Sequence, residues 1–130
     1  ITAIHRGADI AVGSRYLPGS HTERGLLRRL TSWCYRLLLR LLFGLRVSDP
    51  PCGFKAVSER VVRDIVPLIH DRQWFFDTEL LIRAQRAGYR IAELPVQWRE
   101  PRSGAGSLRK VARITRENLK AMRRLCSGGL

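Results

Sequence analysis

Apolar positions recur along this chain at two spacings, and the switches between them mark out its elements. Ala8-Asp-Ile-Ala-Val-Gly-Ser14 alternates small and β-branched apolar residues and predicts a short buried strand running into a loop. Arg15-Tyr-Leu-Pro-Gly-Ser20 is that loop, with Pro18-Gly19 as its turn signal. From about Glu23 to Phe43 the spacing changes to three and four. Leu26, Leu27, Leu30, Trp33, Cys34, Leu37, Leu38, Leu41 and Leu42 then share one broad helical face, with Arg29, Arg36 and Arg40 along a flank and Gly44 as the stop. Cys52 to Val57 predicts a short strand after the Asp49-Pro-Pro51 break. Ser58 caps a helix running to about Val66 and ended by Pro67. Asp77 is the N-cap candidate of a further helix with Leu80, Leu81 and Ala84 inward and Gly88 as its end. Arg90 to Trp98 alternates as a strand bent at Pro95, Ser103 to Ser107 is a hinge, and Leu108 to Cys126 is a basic amphipathic helix. The apolar face of that helix is Leu108, Val111, Ala112, Leu119, Met122 and Cys126.

Charge changes the meaning of the leucine-rich helix. Five arginines between Glu23 and Phe43 argue against a membrane span, since a charge at mid-bilayer costs roughly 2.5–3.5 kcal/mol on insertion scales. Two readings remain: a helix lying among lipid headgroups, or a core-facing helix with solvated arginines. The 130 residues suit one domain, and 24 Lys+Arg against 11 Asp+Glu give a formal net charge of +13. That balance calls for an anionic partner: nucleic acid, a phospholipid surface or a phosphate-bearing substrate. The basic residues cluster in Arg24 to Arg46 and Arg99 to Arg124. Cys34, Cys52 and Cys126, with His5, His21 and His70, are too scattered for a zinc site, and unpaired thiols fit a reducing cytoplasm. A start at Ile1 without methionine is expected of a fragment.

Four blocks occur in order: Gly13-Ser-Arg-Tyr16, Asp49-x-x-Cys-Gly-Phe-Lys-Ala56, Trp74-Phe-Phe-Asp-Thr-Glu-Leu-Leu81 and Ala92-Glu-Leu-Pro-Val-Gln-Trp98. This series resembles the inverting family-two glycosyltransferases of the dolichyl-phosphate (polyprenyl-phosphate) glucosyltransferase and mannose synthase type. The resemblance covers about Ala8 to Ser107. It implies an α/β fold, the C-terminal half of a GT-A-type (Rossmann-like) domain with basic amphipathic helices. Residues 1–107 would be the acceptor-side half, lacking the N-terminal nucleotide-binding half, and 108–130 a basic C-terminal helix. The implied reaction moves a hexose from a nucleotide sugar to a polyprenyl (dolichyl or undecaprenyl) phosphate with inversion. Implied too is a divalent metal (Mg or Mn) in the complete enzyme with no ligand in this chain, and a peripheral location at the cytoplasmic face of the membrane.

Chemistry then selects residues. The acceptor phosphate is already ionised, so the site needs cations and positioning more than a strong base. Arg15 follows a strand's end, where α/β sheets place ligands, and its planar fork suits phosphate, with a surface salt bridge as the alternative; Ser14 adds a hydroxyl. The resemblance places Asp49 by the acceptor, to orient the nucleophile or balance positive charge; a turn-forming role before Pro50 is the alternative. Asp77 and Glu79, two apart at a helix start, diverge and do not make a metal pair. Glu79 is a site carboxylate under the acceptor or a helix-dipole partner, and Asp77 an acceptor-side contact. Ser107 belongs to a Gly-rich loop opening a helix, although the family's Ser-Lys element is here Ser107-Leu108 with Arg109 and Lys110 next. Phe75 and Phe76 are expected in the core. Polyprenyl phosphate, a nucleotide sugar through the missing half and an anionic membrane are the expected partners, with no nucleic acid. The competing class is a basic nucleic-acid-binding or membrane-surface module without catalysis.

Overall fold

A computed structural model of the chain describes residues 2–22, 26–98 and 108–128. In chain order they form α1 (Thr2–His5), β1 (Ile10–Ser14), β2 (His21–Thr22), α2 (Leu26–Phe43), β3 (Lys55–Val57) and α3 (Glu59–Asp64). A 3₁₀ turn (Val66–Leu68), α4 (Phe76–Arg86), β4 (Ile91–Pro95), β5 (Gln97–Trp98) and α5 (Leu108–Ser127) follow. The result is a mixed α/β arrangement around a small sheet of order β3-β1-β4.

β1 is the central strand, and all five of its residues are buried, which is why it reads as small and β-branched residues throughout. It pairs parallel with β4 (Ile10 opposite Ile91) and antiparallel with β3 (Ile10 opposite Val57). The strand expected over Arg90 to Trp98 divides in two. Pro95 has no N–H to give, and Val96 turns its own toward the Ser14 carbonyl at 3.2 Å and Ser20 Oγ at 3.3 Å. Gln97 and Trp98 then pair in parallel with His21 and Thr22 in a second, two-stranded sheet.

Gly13 is a glycine because two neighbours occupy the space of a side chain. A Cβ there would lie 2.7 Å from Val96 Cγ1 and 3.1 Å from the Phe54 ring. Gly44 and Gly88 close α2 and α4 with φ of 64° and 80°, the left-handed conformation that stops a helix. α3 is shorter than its sequence predicts: it ends at Asp64, and Pro67 sits inside the following 3₁₀ turn, where its missing N–H costs nothing.

The core gathers Ile10 and Val12 of β1, Val61 and Ile65, Phe75, and Leu80, Leu81, Ile82 and Ala84 of α4. Phe76 packs at its edge, so both phenylalanines of the aromatic run are core, whereas Trp74 is exposed. α2 contributes Leu39 and Phe43, not the leucine stripe that its periodicity picks out. Leu30, Trp33, Leu37, Leu38, Leu41 and Leu42 face outward, with Trp33 54% and Leu41 73% exposed. α5 is rotated from expectation in the same way: Ala121, Met122 and Leu125 are buried, while Leu119 and Cys126 are exposed. An Arg124 to Asp71 ion pair at 3.0 Å fastens its C-terminal end. Among the described residues no helix is long and apolar enough to cross a membrane.

Candidate functional site

At the C-terminal end of β1 the chain leaves the sheet through Ser14 and Arg15 and meets the 48–55 segment. Asp49 there is 1% exposed, and Arg15 closes on it from three directions. The Arg15 backbone N–H donates to Oδ2 at 3.0 Å, Nε to the same oxygen at 2.6 Å, and Nη2 to Oδ1 at 2.7 Å. Burial weakens the charge on Arg15, whose side chain is 13% exposed, but the hydrogen bonds and charge of Asp49 more than offset this and its pKa is raised. The guanidinium is therefore permanently cationic, with one edge committed to Asp49 and, among the described residues, no other hydrogen-bond partner. Asp49 serves here as counter-charge to Arg15, and its backbone carbonyl also closes the Pro50-Pro51 turn by accepting from Cys52 N at 3.1 Å.

Ser14 is fully buried and its hydroxyl belongs to a relay. Ser48 donates its hydroxyl proton to Glu93 Oε1 at 2.6 Å and its backbone N–H to the same oxygen at 2.8 Å. The Ser14–Ser48 contact at 2.6 Å must then run from Ser14 to Ser48, since Ser48 has no second proton. Ser14 Oγ also accepts from Tyr16 N at 3.2 Å. Ser14 thus sets the shape of the Arg15 turn, with its own proton directed inward.

Asp77 stands on the far side of the 49–55 segment. It is not the N-cap of α4: Phe75 occupies that position without a side-chain cap, and Asp71 Oδ1 accepts from Gln73 N and Phe75 N instead. Asp77, in the first turn, pairs with Lys55 Nζ at 3.2 Å. Lys55 is nearly buried and also donates to the carbonyls of Pro50 (2.9 Å) and Cys52. Burial lowers its pKa, and Asp77 opposes that shift.

Glu79 lies elsewhere. Its carboxylate accepts from the backbone N–H groups of His70 (3.1 Å) and Asp71 (3.0 Å) and from Arg83 Nε at 2.8 Å. Burial pushes its pKa up, and the bonds from Asp71, His70 and Arg83 outweigh that, holding it below the ordinary carboxylate range. Glu79 faces a small cavity of about 100 Å³ beside Arg124 and Leu125. Asp77 and Glu79 diverge onto different cations, and among the described residues no cluster of three His, Cys, Asp or Glu side chains forms a metal site. Ser107 lies outside the described residues.

Ser14, Arg15 and Asp49 are thus brought together, with Asp77 behind them and Glu79 apart. The Asp49 end opens on a cleft of about 240 Å³ between α2 and α5, walled by Tyr16, Ser32, Tyr35, Arg36 and Asn118. Tyr35 donates or accepts a hydrogen bond with Thr78 Oγ1 at 2.9 Å, and burial pushes its pKa up to about 12, so it stays protonated. Arg36 lies over the Tyr16 ring, 3.8 Å from the centroid. Among the described residues, the buried amide oxygen of Asn118 has no hydrogen-bond partner. Sequence reasoning did not select Arg36, Asn118 or Lys55 for the site. The lysine inside the Cys-Gly-Phe-Lys block was the one local signal, being a lone charge in a run that otherwise reads as strand.

No family model matches the chain. Curated relatives do. Glycosyltransferase AglD of Haloferax volcanii is 44% identical over 94 residues, 72% of this chain and 15% of that protein. The dolichyl-phosphate beta-glucosyltransferase of Saccharomyces cerevisiae is 33% identical over 95 residues, 70% and 28% respectively. The undecaprenyl-phosphate mannosyltransferase of Micrococcus luteus is 29% identical over 124 residues, 89% of this chain and 51% of that protein. The chain spans about half the length of the last and far less of the other two. Over most of its own length, this chain is a homologue of part of the dolichyl- and polyprenyl-phosphate glycosyltransferases.

Proposed function

We propose that this chain is the acceptor-side, C-terminal part of a GT-A-type glycosyltransferase domain that places a hexose on a polyprenyl phosphate. Residues 1–107 form the acceptor half and 108–130 the basic helix closing it. The nucleotide sugar and its divalent metal are held by residues outside this chain. In the reaction, a phosphate oxygen of the lipid bonds to the anomeric carbon as that carbon's bond to the nucleoside diphosphate breaks, inverting the centre. No proton has to be removed from an ionised phosphate, so Asp49 is not required as a base. Its task is to fix the Arg15 fork, whose uncommitted N–H groups meet the acceptor phosphate. Ser14 supports that turn from inside, Asp77 holds Lys55 and the 49–55 segment, and Glu79 anchors the 70–71 turn to α4. Ser107 is assigned to the same acceptor side.

One observation carries this reading: a half-buried arginine at a strand end is charge-matched by a buried Asp49, which lines a cleft flanked by a helix whose leucine and tryptophan face is turned outward. An outward apolar stripe bordered by Arg29 and Arg40 suits the headgroup layer of an anionic membrane at the cytoplasmic face. A nucleic-acid groove offers such a stripe nothing to bury. Flotation decides between them. The chain should rise with liposomes containing phosphatidylglycerol and undecaprenyl phosphate in the presence of competing duplex DNA. Retention on DNA, with liposomes left bare, would overturn the reading.

A further inference from the structure

Among the described residues, the cleft between α2 and α5 has two charged groups in its wall, Asp49 and Arg36. Asp49 is already neutralised by the Arg15 fork. Arg36 takes no part in the ion pairs among the described residues, which involve Arg15, Lys55, Arg63, His70, Arg83, Lys120 and Arg124. Its contacts are the face of Tyr16 and, at 3.4 Å, the Ser32 carbonyl. Neither cancels a full charge. A phosphomonoester carries about 1.5 to 2 negative charges at neutral pH, which the Arg15–Asp49 pair, summing to zero, does not match.

We propose that Arg36 is a second phosphate contact for the acceptor, supplied from α2; this rests on the acceptor reading above. Stacking on Tyr16 fixes the plane of the guanidinium and leaves its edge, where the N–H donors lie, directed away from the ring. That edge suits bidentate contact with phosphate oxygens. Position identifies the ligand further. Arg36 also lines a second cavity of about 140 Å³ between α2 and the 45–48 segment, where the exposed Trp33 and Leu37 and the buried Leu45 and Val47 give it an apolar wall. It therefore stands between an apolar surface and the Asp49 cleft. A molecule with a hydrocarbon tail and a phosphate head would place its head-to-tail junction there, as an isoprenoid phosphomonoester does and free phosphate does not.

The test uses the chain itself and three vesicle types: phosphatidylcholine alone, with undecaprenyl phosphate, and with phosphatidylglycerol at matched charge. Arg36→Gln should weaken binding to the undecaprenyl-phosphate vesicles about tenfold or more, the loss expected for one charge-assisted contact. On phosphatidylglycerol vesicles it should lose no more than Arg113→Gln, a change at an exposed position of α5. Arg36→Lys should recover part of the loss, having charge but no fork. Thermal midpoints equal to wild type check that the variants fold. If Arg36→Gln loses no more than Arg113→Gln on undecaprenyl-phosphate vesicles, the proposal is wrong while the acceptor reading stands. If wild type binds both anionic vesicles equally, the two fall together. Added inorganic phosphate should leave binding in place; displacement by it would reassign the contact to free phosphate.

Discussion

Replacing Asp49 by asparagine removes one charge and little else, and so isolates what the buried pair contributes. The carboxylate is 1% exposed and takes three hydrogen bonds from Arg15, whose own side chain is 13% exposed. The amide of Asp49→Asn would offer one acceptor oxygen and would turn an NH₂ group toward the Arg15 donors. Arg15 would remain a largely enclosed cation without its counter-charge. Breaking a buried pair by removing one partner costs about 3–5 kcal/mol, and the partial access of Arg15 to water points to the lower end. For a domain of this size about 3 kcal/mol lowers Tm by on the order of 10 °C. Thermal unfolding followed by far-ultraviolet circular dichroism at neutral pH measures it. The double variant Arg15→Met, Asp49→Leu leaves no orphaned charge and should recover most of the loss, because apolar replacements of buried pairs are often neutral. A single variant within about 2 °C of wild type, or a double variant less stable than the single, would refute the account of Arg15 and Asp49 as one electrostatic unit.

Gly13→Ala should destabilise by about 1–3 kcal/mol in urea unfolding, since its methyl meets Val96 and Phe54, and adding Val96→Ala should restore part of that. An unchanged midpoint would show that the contact is not tight. Glu79 has its pKa lowered in the fold, so its contribution is full above the ordinary glutamate pKa and disappears as pH falls through the folded value. The Tm gap between wild type and Glu79→Gln should be largest near neutrality and close on acidification; a gap independent of pH contradicts this. Trp33→Glu should change stability by no more than about 0.5 kcal/mol, because the side chain is 54% exposed, yet strip the chain from liposomes. Loss of Tm without loss of flotation would place Trp33 in the core.

Local pattern made some of this legible and distance hid the rest. β1 was readable because a strand covered on both faces must be apolar throughout, and the ends of α2 and α4 because glycine marks them. The direction of the α2 stripe was not readable. Periodicity finds a leucine face but is silent on what covers it, and here Leu39 and Phe43 are the α2 residues that join the core. The N-cap of α4 failed for a similar reason: Asp71 reaches forward across four residues to bond Phe75 N, so Asp77 is left to pair with Lys55. Arg15 stood out by its place after a strand. Its bond to Asp49 spans 34 residues, and the relay from Ser48 to Glu93 spans 45, which no local spacing reports. The relatedness to lipid-phosphate glycosyltransferases was carried by the four ordered blocks, whose residues prove to hold the 49–55 segment in place.

That segment is clamped at both ends, by Arg15 on Asp49 and by Lys55 across the Pro50 and Cys52 carbonyls to Asp77. The entropy of ordering it is lost when the chain folds, not when a ligand arrives. An anion reaching Arg15 therefore meets a donor array already set in geometry, and little of its binding free energy is diverted into arranging the loop.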